Sequence, residues 1–336
     1  MSGPLTRRRL ASVLAAMTAL LAAAAALSLF TGELDLSVAR AWADPESLDG
    51  RVLLDHRLPR TLLGLITGAV LGAAGAILQG LLRNALADPF VLGVSGGAAL
   101  GSAVVGLTGL AAFIVEPIGG FLGALVALAL VTRIASHQGR ISPLRMLLVG
   151  VVFNSFAGAL LMVLQAIGDA DAVQRVLLRL MGSLSVDPSR PLLLPTVAIG
   201  ATLGLGLAMS RPRALDLLAF GDRTARSLGV EPEQVRKRAF VALSVAIGVV
   251  VAATGLIGFV GLIVPHAVRT LTGPDHRLMV PACALAGAAL VLTADASVRM
   301  LAGPLGTELP VGVLTTGLGG PLFLLLMGRA ARGART

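Results

Sequence analysis

The residues able to do chemistry are few in this sequence, and they are badly spaced for it. His56, His137, His266 and His276 are scattered among the connections without the short repeats that hold a zinc ion. No carboxylate pair or nucleophile with a neighbouring base stands out. The one lysine, Lys237, lies in "VRKRAF" with no glycine-rich run before it, so the GxxxxGK[ST] cradle for nucleotide phosphates is missing. Cys283, in "PACALAGAALVL", has no second cysteine to pair with and reads as a small core residue. Catalysis within the chain is therefore not expected. What stands out instead is charge: "DHRLPRTLL", residues 55 to 63, puts His56, Arg57 and Arg60 at the head of an apolar run.

The elements that must position these groups follow from composition. Of 336 residues, 56% are hydrophobic and only 13% charged, and the mean hydropathy is +0.89. That describes an all-α integral membrane protein, since a soluble domain carries about 25% charged residues. No polar block is large enough for a soluble domain, so residues 1 to 336 read as one transmembrane domain. The net charge of +9 does not point to nucleic acid, because the arginines fall in short connections between apolar runs. The first run, Leu10 to Phe30, is longer than the roughly 7 to 15 residues of a cleaved signal core, and it reads as a retained span.

Runs long enough to cross about 30 Å of hydrocarbon cover 10 to 30, 60 to 82, 91 to 111, 116 to 134, 143 to 166, 191 to 209, 238 to 257, 279 to 298 and 309 to 328. The apolar part of "GFVGLIVPHAVRTLTGPDHR", 258 to 264, is too short for an ordinary crossing. Counting it as a broken span gives ten crossings with both termini cytoplasmic. Nineteen of the 27 basic residues then lie inside and eight outside, as the inside-positive rule requires. Arg57, Arg60 and Arg299 fall on the outer face. Gly64, Gly68 and Gly72, four apart, suit close helix packing. The lone polar residues Gln79, Asn154, Ser155 and Gln165 suit either a polar path or hydrogen bonds between helices.

The longest inner connection, "SRPRALDLLAFGDRTARSLGVEPEQVRKRAF", mixes an apolar stripe with a turn at Gly221-Asp222, a second short helix and a stop at Gly229. Two amphipathic helices suit a docking surface for a soluble inner partner; the competing reading is an interfacial segment with its arginines on anionic headgroups.

Four stretches carry a more specific signal: "RLPRTLLGLITGAVLGAAGAILQGLLRNALADPFVLGVSGGAALG", "GDRTARSLGV", "GLIGFVGLIVPHAVRTLTGPDHR" and "ELPVGVLTTGLGGP". In this order the chain resembles the permease subunits of the FecCD/BtuC-like family of bacterial ABC importers for ferric siderophores, haem and vitamin B12. The resemblance implies the type II importer fold of about ten helices in the cytoplasmic (inner) membrane. It also implies a second permease copy (a homodimer or close heterodimer), two cytoplasmic ABC ATPase subunits that hold ATP and Mg, and an extracytoplasmic substrate-binding protein. No cofactor is implied for this chain.

Carried over residue by residue, the loop 210–238 supplies ATPase coupling through Ala219, Gly221, Asp222, Ala225, Arg226, Leu228 and Gly229, with Pro265, His266 and Arg269 supporting it from the membrane side. Asn84, Leu86, Ser142 and Pro143 match positions that close the pathway on the cytoplasmic side, although the family's Asn-Pro-Leu reads Asn84-Ala85-Leu86. "LRLMGSLS", 178 to 185, resembles the short helix beside the outer mouth. Arg57, Arg60 and Arg299 match arginines that receive acidic residues of the binding protein; headgroup contact or pairing with Asp55 is the alternative. Phe90 in "ADPFVLG" leans toward a ferric siderophore over haem or vitamin B12.

A rival from another class, an ion-coupled secondary transporter, requires an ionisable residue near mid-membrane. Its candidates, Glu116 and Asp295, fall near outer ends. A membrane scaffold explains the inner loop but not the gating motifs.

Overall fold

A computed structural model describes residues 7–32, 37–107, 115–137, 140–167 and 181–333. Ten helices match the ten predicted segments. They are α1 (Arg7–Phe30), α2 (Leu58–Leu82), α3 (Val94–Leu107), α4 (Val115–Ala135), α5 (Pro143–Ile167), α6 (Leu193–Ala208), α9 (Pro232–Thr254), α10 (Val260–Thr272), α11 (His276–Leu305) and α12 (Val311–Gly333). Between α6 and α9 the inner connection folds as two short helices, α7 (Pro212–Ala219) and α8 (Asp222–Ser227). Among the described residues six helices are long and apolar enough to cross a membrane, and α6 with α7, bent by 57°, passes as a seventh span. Two residues each from Ser136–His137 and Arg140–Ile141 pair as an antiparallel clip between α4 and α5.

The core is the packing of α2 on α11. Four-residue glycine spacing makes it possible: a Cβ at Gly68 would overlap the Gly287 carbonyl, and one at Gly72 the Cys283 carbonyl. The predicted packing role of these glycines is thus how the structure uses them. Cys283 itself is fully buried in this seam.

Sequence signals set the ends of the inner elements. Helix α2 stops where Arg83 turns left-handed (φ 49°) and Asn84 Oδ1 accepts from the Leu86 amide at 2.9 Å. Helix α9 starts on Pro232 in its first turn and ends at Gly255 (φ 70°). The broken segment is α10, 13 residues or about 20 Å long. Its N-cap, Phe259, holds a left-handed φ of 66°, and Gly261 lies against the backbone of Leu71 and Gly75 midway along α2. The helix therefore begins inside the bundle, with Pro265 buried within it.

Candidate functional site

At the inner end, charge pairs pin the α7–α8 connection to the bundle. Asp222 opens α8 and receives Arg236 Nη2 at 2.6 Å, Arg236 Nη1 at 2.9 Å and Arg83 Nη2 at 2.8 Å. Arg236 is itself buried in α9 and donates also to Glu233, 3.3 Å away. The other Glu233 oxygen accepts from the Ile141 amide at 2.9 Å, which ties in the clip before α5. One turn earlier, Asp216 of α7 accepts the His276 amide at 2.9 Å and meets its Nδ1 at 2.6 Å. Hydrogen bonds from Arg236, reinforced by the charges of Arg83 and Arg226, hold the Asp222 carboxyl below the usual carboxylate range against the opposing effect of burial.

This clamp orients the loop's apolar side chains in two directions. Leu215, Leu218 and Ala225 are buried against the bundle, whereas Phe220 is 75% exposed and Leu228 61% exposed. A large aromatic side chain left open on an otherwise polar loop suits a partner surface. Gly221 (φ 116°) and Gly229 (φ 78°) both use backbone regions that disfavour other residues, so the turns around α8 depend on them. Of the residues expected to couple, Ala219, Arg226, Leu228 and Gly229 are exposed, Gly221 and Asp222 half-buried, and Ala225 buried. Sequence reasoning missed Phe220, and it missed Arg83, Arg236 and His276 as the groups that fix the loop. Pro265, His266 and Arg269, the expected support residues, belong to α10, which packs on α2 and α11, and Arg269 donates to Gln79 Oε1 at 3.3 Å.

A cavity of about 690 Å³ is bordered by Leu86, Asp88, Phe90, Met181, Phe259 and Thr316. It joins the turn after α2 to the starts of α10 and α12. Leu86, a predicted gate residue, is exposed on its wall; Asn84 fixes the turn that presents it. Ser142 and Pro143 start α5, and no hydrogen bond joins them to Asn84 or Leu86 among the described residues. Asn154 of α5 clamps the same turn, donating to Phe90 O at 2.7 Å and accepting from the Gly96 amide at 3.1 Å. Asn154 and Gln79 thus serve helix-to-helix hydrogen bonds. Asp88 was not foreseen as a functional residue. It is buried, one oxygen accepts from the Phe90 amide at 2.8 Å, the other has no hydrogen-bond partner among the described residues, and burial pushes its carboxyl up to about 6.

The three arginines expected at the outer face do share one end of the bundle, around a hollow of about 260 Å³ that also includes His56 and Glu308. Their guanidinium groups turn inward. Arg60 donates Nε and Nη2 to Asp295 Oδ1 at 2.9 and 2.7 Å and pairs with Glu308. Arg299 reaches the other Asp295 oxygen at 2.9 Å and donates to the carbonyls of Ser28 and Thr31; Arg57 donates to Leu29 O at 3.1 Å. Those carbonyls close the C-terminal end of α1, where cations satisfy open acceptors and oppose the helix dipole. Asp295 is fully buried. The carboxylates that meet Arg60 and Arg299 among the described residues are thus Asp295 and, for Arg60, Glu308. His56 is exposed. In the outer-mouth stretch 178 to 185, residues 178–180 lie outside the described residues, and Gly182 (φ 81°) turns the chain against Leu256. Glu116 and Gln165 have no described side chains.

Residues 20–329 match the FecCD transport family. The chain belongs to that family. Among its FecCD relatives, the hemin transport system permease protein HmuU of Yersinia pestis is 40% identical over 305 residues, 88% of this chain and 89% of the relative. The Fe(3+) dicitrate transport system permease protein FecD of Escherichia coli is 40% identical, covering 83% of this chain and 85% of its own. A solved structure, described as an inward-facing conformation of a metal-chelate type ABC transporter, superposes with a TM-score of 0.83 at 30% identity, over 95% of this chain and 99% of that one. As a FecCD protein the chain is a membrane-spanning ABC importer permease of the cytoplasmic membrane, and partnership with an ATPase and a binding protein goes with the family.

Proposed function

We propose that residues 1–336 form a single permease domain with ten crossings and both termini in the cytoplasm, and that it pairs with a second copy or a close homologue. Two ABC ATPases, which hold the ATP and Mg, dock on the α7–α8 loop through Phe220, Leu228 and the neighbouring Ala219, Gly221, Arg226 and Gly229. Asp222 and Ala225 keep that surface in place. The observation that carries this reading is the loop itself: its acids Asp216 and Asp222 are paired with the bundle while its largest apolar side chain is left open. A surface built in this way transmits force, because the ion pairs connect it to α2, α9 and α11. Pro265, His266 and Arg269 stiffen the half-helix through which the loop's movement reaches the cavity.

The cavity beside Phe259 and α12 is the chain's half of the translocation path. Asn84, Leu86, Ser142 and Pro143 close its cytoplasmic end against the second copy. At the outer face Arg57, Arg60 and Arg299, gathered around one hollow, attract acidic side chains of the binding protein. Charge of that kind speeds and orients encounter more than it tightens binding.

The cargo is a metal chelate, foremost a ferric siderophore. Haem is the second reading, favoured by the likeness to the hemin permease, which equals that to the ferric dicitrate permease. The experiment is to purify the outer binding protein and identify what it carries: an iron-loaded siderophore supports the first reading, haem the second, and a free amino acid or sugar removes both. An ion-coupled transporter is disfavoured by Asp295, whose charge is neutralised by Arg60 and Arg299 and so is not open to a coupling ion.

A further inference from the structure

The inner loop also borders a cavity whose lining includes neither Phe220 nor Leu228. This cavity, of about 580 Å³, lies between the end of α6, α7 and the first turns of α9, and four arginines line it: Arg211, Arg213, Arg238 and Arg277. They come from separate parts of the chain, namely the α6–α7 turn, α7, α9 and the start of α11. The one acid lining the same space, Glu231, stands 3.6 Å from Arg226 outside it. Among the described residues none of the four guanidinium groups has a carboxylate partner, in contrast to Arg83, Arg236, Arg60 and Arg299, each of which does.

We propose that this cavity binds the phosphate-bearing headgroup of an anionic membrane lipid. Guanidinium groups grip phosphate oxygens two at a time, and several arriving from different elements make a fixed anion site. The lip of the cavity identifies the source of the phosphate. It is formed by Leu207, and Ile199, Leu203 and Leu207 recur every four residues as an exposed apolar stripe along α6. A molecule that places an anion among the arginines and a hydrocarbon chain along that stripe is a phospholipid, and cytoplasmic leaflets are rich in anionic ones. Two alternative uses of the inner loop's arginines are thus reconciled: one face meets a protein, the other a headgroup. Bound lipid then braces α7 from behind while Phe220 and Leu228 receive the partner.

The test is native mass spectrometry of the full chain released from mixed phosphatidylglycerol and phosphatidylcholine. Wild type is expected to retain phosphatidylglycerol about tenfold over phosphatidylcholine. The variant with Arg211, Arg213, Arg238 and Arg277 all changed to Gln is expected to fall to near parity, and the two double variants (Arg211→Gln with Arg213→Gln, Arg238→Gln with Arg277→Gln) to lose part of the preference. Arg223→Gln with Lys237→Gln, on the same end of the molecule but outside the cavity, is expected to keep it. Melting in phosphatidylcholine alone checks that each variant is folded, and the double variants carry the test if the fourfold one is not. Equal retention in wild type and the cavity variants would overturn the proposal. So would equal loss in the Arg223/Lys237 control, or full displacement of the lipid by inorganic phosphate, which would make this a site for the free anion.

Discussion

Arg60 of α2 and Asp295 of α11, 235 positions apart, meet at 2.7 Å inside the bundle, and Arg299 takes the second oxygen of the same carboxylate. A carboxylate with no exposed surface is tolerated only with such partners. Asp295→Ala leaves two guanidinium groups, each at least 86% buried, facing one another. It is expected to cost roughly 3–5 kcal/mol, read as a lowered melting temperature of the detergent-solubilised chain. An unchanged melt would contradict the structural role of the pair.

Glu308 separates docking from stability, because Asp295 alone keeps Arg60 paired when Glu308 is removed. Reversing Arg60 or Arg299 strands Asp295 and confounds the two. Glu308 is 48% exposed and offsets part of the positive field. Glu308→Gln is expected to tighten the outer binding protein's docking several-fold at low ionic strength, with the gain vanishing in high salt. Surface plasmon resonance over a salt series checks this, and weaker or salt-independent docking would count against a landing site there.

At the opposite end, Phe220→Ala and Leu228→Ala remove side chains that are mostly exposed. Each is expected to weaken ATPase association by at least tenfold, in the range of interface hot spots at about 2 kcal/mol, while expression and melting stay level. Co-purification with the cognate ATPase reads the loss directly. Retained association would move the docking surface elsewhere.

Asp88 gives the cavity a pH dependence of known sign. Its carboxyl is raised to about 6 by burial, so its contribution to stability is fully present below the unfolded value near 4 and is lost as pH rises through about 6. Asp88→Asn is expected to stabilise the chain by up to about 3 kcal/mol at pH 8 and progressively less toward pH 4. Melting across that range tests it; a constant difference at all pH values would show that Asp88 keeps one charge state.

The helices were legible because membrane spans announce themselves by length, and the charged connections set their order. The glycine steps from Gly64 to Gly72 also foretold close helix packing, though not that α11 is the helix they receive. What stayed hidden depends on pairing across long separations. Nothing near Arg60 in sequence names Asp295, and nothing near Asp222 names Arg83 and Arg236. Nor does the sequence show that Arg57 and Arg299 also close the end of α1, where open helix carbonyls recruit the nearest cation. Phe220 escaped notice because one aromatic in an amphipathic loop reads as its buried face until the fold shows Leu215 and Leu218 filling that place.

The measurement that bears most directly on function is cargo uptake by proteoliposomes holding this chain with its ATPase, the binding protein being added outside and ATP enclosed. The account predicts accumulation that stops without the ATPase or without ATP and persists when ionophores collapse every ion gradient. Uptake that proceeds without the ATPase and fails when the gradients are collapsed would contradict it.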